Sequence, residues 1–319
     1  MIERADRRHA LAPLTLAAFA AVYLIWGSTY LGIRYAIETI PPLAMAGSRF
    51  IVAGALMFPW AYLRGDRAGD RVTLRHWRSA LVIGFCLVTV GNGGITLGEQ
   101  HVASGVVAVL VATVPLWMAL FSRLRGAESI GRLGVAGLVC GFLGVGLLLR
   151  PGATGTSSPG WMVFTLLSPL CWAAGSIYAR GAVLPRRPLL GIAMEMLCGG
   201  ALMCLAAAVL GEWGHVHLSA ISLLSALAFL YLVVAGSMVG YTAYIYLLGT
   251  VSPRAASSYA YVNPLVAVFL GWALLSEPVT VSTLAAAILI VAAVAVLLAT
   301  SRRGPSEAQA ATTACQEVA

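Results

Sequence analysis

Apolar residues run through this chain in blocks of roughly 20, set apart by short polar segments, from one end to the other. A helix of about 20 apolar residues crosses the ~30 Å hydrocarbon core of a bilayer, so each block reads as one membrane span. Ten spans are expected, over 13–33, 42–63, 77–98, 102–122, 132–149, 160–180, 188–210, 219–243, 255–275 and 281–300. The basic-then-apolar start has the order of a signal peptide. Nine more spans follow it, however, and it is expected to stay as the first helix, behind a cytoplasmic N-terminus at 1–12. The small, polar stretch 304–319 is expected to be a disordered cytoplasmic tail.

The pattern occurs twice. A shift of 146 residues sets Trp26 on Trp172, Arg34 on Arg180, Pro42 on Pro188 and Gly54-Ala55-Leu56-Met57 on Gly200-Ala201-Leu202-Met203. Beyond the second span a shift of 149 pairs Val90-Gly91 with Val239-Gly240, Pro115-Leu116 with Pro264-Leu265, and Glu128 with Glu277. Each copy, 13–149 and 160–300, holds five spans, an odd number, so the second copy enters the membrane upside down. The expected fold is therefore all-α and membrane-embedded: ten transmembrane helices as two inverted five-helix repeats. Inverted repeats are how many transporters are built, with the solute site near the midplane between the halves.

Composition agrees. Of 319 residues 60% are hydrophobic and 10% charged, and the mean hydropathy is +0.89. Soluble domains carry about 25% charge, so a water-soluble enzyme is excluded. The cations are all Arg and give a net charge of +8, but they are scattered among loops rather than gathered in a stripe that would bind nucleic acid. Their placement sets topology instead. Seventeen of the 20 fall at one set of loop ends, Arg34 and Arg150 at the other, and Arg49 inside a span. Cytoplasmic loops are the Arg-rich ones, so both termini are expected inside. Cys86, Cys140, Cys171, Cys198 and Cys204 lie in apolar runs as small fillers, and no Cys/His metal spacing or other cofactor signature is present.

The stretch Trp26-Gly27-Ser28-Thr29-Tyr30 with Ile40-Pro41-Pro42 and Ser48-Arg49-Phe50, closed by Tyr261-Val262-Asn263-Pro264-Leu265 and Glu277-Pro278, resembles the ten-helix EamA-type permeases of the drug/metabolite transporter superfamily over residues 14–300. The resemblance implies a secondary permease of a bacterial inner membrane, often an exporter of amino acids, metabolites or toxic compounds. Small four-helix relatives bind cations and protons on a Glu in their first helix, whereas 13–33 holds no acid.

Polar and aromatic groups inside spans are the candidates for solute contact, since burying them in lipid is costly. Trp26 and Tyr30 share a face of the first helix, with Trp172 and Ser176 as mates in the sixth. Asn92 lies in a weak, Gly-rich part of the third helix, and Tyr241 and Tyr244 follow the matching glycine of the eighth. Pro115 and Pro264 are expected to kink the fourth and ninth helices at matched depths, as gating points with Trp117, Tyr259 and Asn263 beside them. Two charges are inside: Arg49, ~10 Å below the outer end by helical rise, and its mate Glu195, the acid best placed for proton coupling.

Other features read more plainly. Glu99-Gln100-His101 is expected as a solvated outer loop, with pH sensing the alternative. Glu128 and Glu277 are expected to cap the helices that follow them. Gly137 and Gly141 form a small-xxx-small pair, the basis for expecting a homodimer as one partner beside the solute and the bilayer. A lipid flippase is the alternative function. A membrane-embedded enzyme is disfavoured, because no HExxH, no Asp and no His occupies a span core. In accessibility labelling, Glu128→Cys should react only from the cytoplasmic face and Glu277→Cys only from the outer one. Reaction from one common face would rule out the inversion.

Overall fold

The computed structural model describes the backbone of residues 2–64, 71–124, 131–150, 152–155, 157–251, 256 and 258–300, and their side chains except at 2–12, 249 and 300. Glu128 and the expected tail 304–319 lie outside the described residues. Ten helices follow in order: α1 (Ile2–Ala36), α2 (Pro42–Leu63), α3 (Leu74–Gly98), α4 (Ser104–Leu124) and α5 (Arg132–Leu149), then α6 (Pro159–Ala179), α7 (Pro188–Val209), α8 (Leu223–Leu248), α9 (Tyr259–Leu275) and α10 (Val281–Thr300). Among the described residues, nine are long and apolar enough to cross a bilayer and α9 is shorter, at 17 residues. The chain is an all-α membrane protein.

Local chemistry sets the helix ends. Pro42 and Pro188, mates in the repeat, each open a helix, where the missing N–H costs nothing. Helix α8 starts later than the expected 219, because Leu218–Ala220 makes a separate turn and Ser222 caps the helix by accepting from Ser225 N at 3.1 Å. Residues from the α7 termini finish α2: Glu212 Oε2 accepts from Ala44 N at 2.9 Å, and Arg187 donates to the carbonyls of Ala61 and Tyr62. An acid at the start and a base at the end complement the helix dipole.

Two helices depart from regular α geometry in the same place. α3 is a π-helix over Phe85–Asn92, and α8 is one over Leu232–Val239. The expected weakness of the Gly-rich stretch is thus a widened turn rather than a break. The two prolines behave differently. α4 is interrupted at Ala112–Thr113, and Pro115 sits in the first turn of its second half, so the expected kink is a full break just before the proline. Thr113 Oγ1 donates to the Leu110 carbonyl at 2.6 Å across the interruption. α9 runs on through Pro264.

The repeats pack by matched seams. α2 lies along α7, and its counterpart seam joins α5 to α10. Both depend on glycine. A β-carbon on Gly200 would stand 3.0 Å from Ile51 N and 3.1 Å from Gly47 O, so the backbones of α2 and α7 touch. Gly137 and Gly141 face Val296, Ala293 and Leu116. That corrects the dimer reading of this pair: it is used inside the chain, against α10. Large apolar side chains such as Leu24, Leu56, Val139, Leu143, Phe269 and Ile288 are exposed on the outside of the bundle, as a lipid-facing surface requires.

Gly200→Val should overpack the α2–α7 seam, at a cost of ~1–3 kcal/mol. Thermal unfolding of the detergent-solubilised protein would then fall in temperature, while Gly146→Val, whose β-carbon meets nothing within 4 Å, leaves it in place. Equal shifts would show that the seam is not close-packed.

Candidate functional site

Helical spacing gathers the site. On α1, Trp26, Thr29, Tyr30 and Ile33 form one stripe. On α6 the stripe is Trp172, Ser176 and Arg180, and on the second half of α4 it is Pro115, Met118, Ala119 and Ser122. With Arg49, Asn92, Tyr241, Tyr244, Tyr259, Asn263 and Pro264 these line a cavity of about 620 Å³ between the repeats. Trp117 does not. Two positions past Pro115 it points to the opposite face, where its ring meets Phe142 edge-on at 4.9 Å. The expectation that it contacts solute is therefore corrected, since a helix turns ~100° per residue. Glu195 also lies outside the lining, and its main-chain carbonyl packs against Gly84 of α3.

The cavity wall is an aromatic box. Trp26 packs at 5.3, 5.2 and 5.1 Å from the rings of Tyr241, Tyr244 and Tyr259, the last edge-on. Its Nε1 donates to the Gly236 carbonyl at 3.2 Å, inside the π-helical stretch of α8. Asn92 closes the matching stretch of α3, donating from Nδ2 to the Leu87 carbonyl, five residues back, at 3.0 Å. Asn92 and Tyr241 both line the cavity. Residues 92 and 241 are mates under the 149 shift, and mates that line one cavity flank the axis relating the repeats. The centre of the cavity is thus the pseudo-symmetry axis. On α9, Asn263, with its amide nitrogen turned to donate, reaches the carbonyls of Tyr23 and Tyr259 at 3.2 Å.

Arg49 brings the charge. It is 4% exposed, donates from Nε to Ser237 Oγ at 3.0 Å, and lies 4.6 Å from the Phe50 ring centre. The bond and the ring together hold the guanidinium inside the membrane, where an unpartnered charge is costly. No acid joins Arg49 and Arg180 among the described lining residues.

The two ends of the cavity differ. Toward the end where α4, α6, α8 and α10 carry Ser122, Arg180, Leu248 and Leu298, the lining continues to the last helical turns. Toward the other end it reaches Ile33 and Ile95, in the last turns of α1 and α3, and Ala108, and beyond them Glu99, Val102 and Ser104 are buried by contacts between the repeats. There Arg34 of α1 donates to the Glu99 carbonyl at the end of α3. Glu277 Oε1 accepts from Ser104 N at 2.8 Å, and its Oε2 from Ser104 Oγ at 3.0 Å and Gly105 N at 3.2 Å. Glu277 therefore caps α4 of the other repeat and not the helix that follows it, which corrects that expectation. Glu99 is fully buried, so the expectation of a solvated loop is corrected for it, while Gln100 and His101, the latter stacked on Trp161 at 4.1 Å, are exposed.

Repeat mates differ in their surroundings between the two ends. Arg180 and Leu248 line the open end, while their mates Arg34 and Glu99 sit in the closed one; Met118 lines the cavity, and its mate Ala267 is 2% exposed. Arg180, Thr29 and Met118 were not singled out from sequence. The four-residue step from Trp172 through Ser176 reaches Arg180 directly, so the signal was present.

The EamA-like transporter family profile matches residues 13–150 and 159–299, one copy per repeat. The inner membrane transporter YedA of Escherichia coli (strain K12) is 42% identical over 291 residues, 90% of this chain and 92% of its own. The Bacillus subtilis (strain 168) transporter YvbV is 26% identical, over 88% of this chain and 91% of its own. A protein of known crystal structure shares the fold with a TM-score of 0.58 at 20% identity, over 91% of this chain and 99% of its own.

Asn92→Ala should leave the Leu87 carbonyl without its partner, a loss of ~1–3 kcal/mol for a buried group, read as a lower unfolding temperature in detergent. No change would mean that water replaces the amide.

Proposed function

Because the chain belongs to the EamA-like transporter family, we propose that it carries a small solute across the membrane by alternating access at the cavity between its repeats. The coarser statement stands on its own: the chain is an inner-membrane transporter protein by family and by its relatives. The observation that carries the finer one is the cavity itself, lined by residues that are mates in the repeat and covered at one end by buried residues at the contact between repeats. Swapping the conformations of two inverted units would close that end and open the other.

The open end carries the Arg-rich loops, and with Arg-rich loops cytoplasmic the form described is inward-open with both termini inside. A cavity loading from the cytoplasm suits export. The lining selects by chemistry: aromatic walls from Trp26, Tyr241, Tyr244 and Tyr259 favour an apolar or aromatic body, and Arg49, without an acid beside it in the described lining, favours a carboxylate or other anionic head. About 620 Å³ is in the range of pockets for small organic solutes. We assign solute contact to Trp26, Tyr30, Asn92, Trp172, Ser176, Tyr241, Tyr244, Tyr259 and Asn263, and gating to the α4 break beside Pro115 and to Pro264. A guanidinium in a cavity that ends in water favours a soluble amphiphile over a lipid for flipping.

The test is release of metabolites from overproducing cells, followed by counterflow of the released compound in proteoliposomes. Arg49→Gln and Trp26→Ala should each lower flux at least about tenfold, which corresponds to roughly 1.4 kcal/mol of lost interaction, at equal amounts of folded protein. Trp117→Phe should leave it unchanged. Full flux in both cavity variants would move the solute path elsewhere.

A further inference from the structure

Among the buried side chains outside the cavity, one stands apart. Glu99 is fully buried, and neither carboxylate oxygen has a hydrogen-bond partner. The charged and titratable groups around it are few. Glu277 approaches from the α9–α10 hairpin, Arg34 and Tyr30 from α1, and Arg49 from α2. From α4 and α6 the neighbouring polar groups are the hydroxyls of Ser104 and Thr165, the latter against Gly98. Arg34, the obvious counter-ion, gives its bond to the main-chain carbonyl of Glu99 and not to its carboxylate. Glu277 takes three hydrogen bonds from the start of α4 and offers none in return. An ionised carboxylate with no donor in a dry site is very costly. A neutral carboxylic acid fits this setting, and burial, followed by the nearby Glu277, pushes the Glu99 carboxyl well above the usual carboxylate range against the pull of Arg34 and Arg49.

The repeat says what happens to this group when the transporter turns over. The mate of Glu99 is Leu248, which is 42% exposed and lines the open end; the mate of Arg34 is Arg180, which lines it as well. If the repeats exchange conformations, Glu99 and Arg34 take the places that Leu248 and Arg180 hold now, on the wall of a water-filled cavity. Hydration and a free Arg34 then both favour the charged form.

We propose that Glu99 is a proton-binding site of the outer gate, protonated while that end is closed and giving its proton to the outer water when it opens. The proposal rests on the alternating-access reading above and adds to it an ion and a residue. It moves the coupling group away from Glu195, which lies outside the cavity lining and is not among the buried carboxylates left without a hydrogen-bond partner in the described residues. The sign follows from linkage. The closed-end carboxyl holds its proton to higher pH than the hydrated one, which titrates near ~4.3, so acid favours the outer-closed form. Raising the pH through the window between the two values favours the outer-open form, by at most one proton.

The test uses the full-length chain with its native cysteines replaced by Ala and a single Ala108→Cys at the outer limit of the cavity. A membrane-impermeant maleimide is added to the outside of right-side-out vesicles, and separately to inside-out ones. Rates are taken as ratios to the same probe in an E99Q background, which cancels the pH dependence of the thiol. Outer labelling relative to E99Q should rise between about pH 5 and 8, by up to about tenfold per pH unit at its steepest, while inner labelling falls. Glu99→Asp, which keeps a titratable carboxyl, should retain the dependence, and E99Q should stay in the outer-closed form throughout. A flat ratio, with outer and inner labelling still reciprocal across variants, would overturn the role of Glu99 and leave alternating access standing. Outer and inner labelling that rise and fall together would overturn alternating access itself.

Discussion

Inside a bilayer every backbone N–H and C=O must find a partner in the protein, because lipid offers none. That constraint decides where this bundle can be irregular. Its departures from α geometry beside the cavity are the π-helical stretches of α3 and α8 and the break in α4, while α6 is also interrupted, at Leu166, away from the cavity lining. The freed groups there find partners of a telling kind. Asn92 bonds the Leu87 carbonyl, Trp26 the Gly236 carbonyl, and Thr113 the Leu110 carbonyl. The first two donors are themselves cavity residues. The side chains that shape the solute space also hold the weakened backbone in place, so a change in one is felt by the other. π-helical turns are uncommon and collect at working sites, and here the duplication places one in each half.

Duplication with inversion also sorts residues by their distance from the axis. Trp26 and Trp172, Asn92 and Tyr241, and Pro115 and Pro264 lie near it, and both members of each pair face the cavity. Residues further along the same helices cannot both do so in one state. Arg180 faces the cavity while Arg34 holds the closed end, and Leu248 is exposed while Glu99 is buried. On the alternating-access reading proposed above, each copy would show the surroundings that its mate takes in the other state. The same logic separates packing from gating. The α2–α7 and α5–α10 seams, where glycines bring backbones together, can stay intact while the helices around the cavity tilt.

Much of this was legible in the chain. Ten apolar blocks and two register shifts between copies contain the helices, the inversion and the axis. The stripe from Trp26 to Ile33 follows from helical spacing alone. What the sequence hid was contact between distant segments. Trp117 looks like a partner for Pro115 until the turn of the helix carries it to Phe142. Glu277 looks like a cap for the helix beginning at Val281, yet its oxygens reach the first amides of α4. Gly137 and Gly141 read as a surface for a second copy until α10 is laid over them. Glu99 reads as loop because three polar residues follow one another; that the end of α3 is buried under α1, α4 and the α9–α10 hairpin is a property of the closed state, and no local pattern encodes it.

Arg49 and Glu195 show how a duplicated scaffold escapes its own symmetry. They occupy the same position in the two copies, and a charge at that depth costs roughly 2.5–3.5 kcal/mol on insertion scales. Arg49 offsets the cost with Ser237 and the face of Phe50, and it lines the cavity. Glu195 lies outside the lining, with its main-chain carbonyl against Gly84 of α3. Had the copies stayed identical, two like charges would have faced the solute from opposite depths and held it equally well in both forms. Arg49 in one copy against Glu195 in the other breaks that balance. On the alternating-access reading proposed above, an anionic head bound at Arg49 would lie on the side of Glu99 and Arg34, and its negative field would strengthen the hold of Glu99 on a proton. Solute and proton would then favour the same closed outer gate, and the asymmetry of one residue pair would tie the contents of the cavity to the state of the end that must open next.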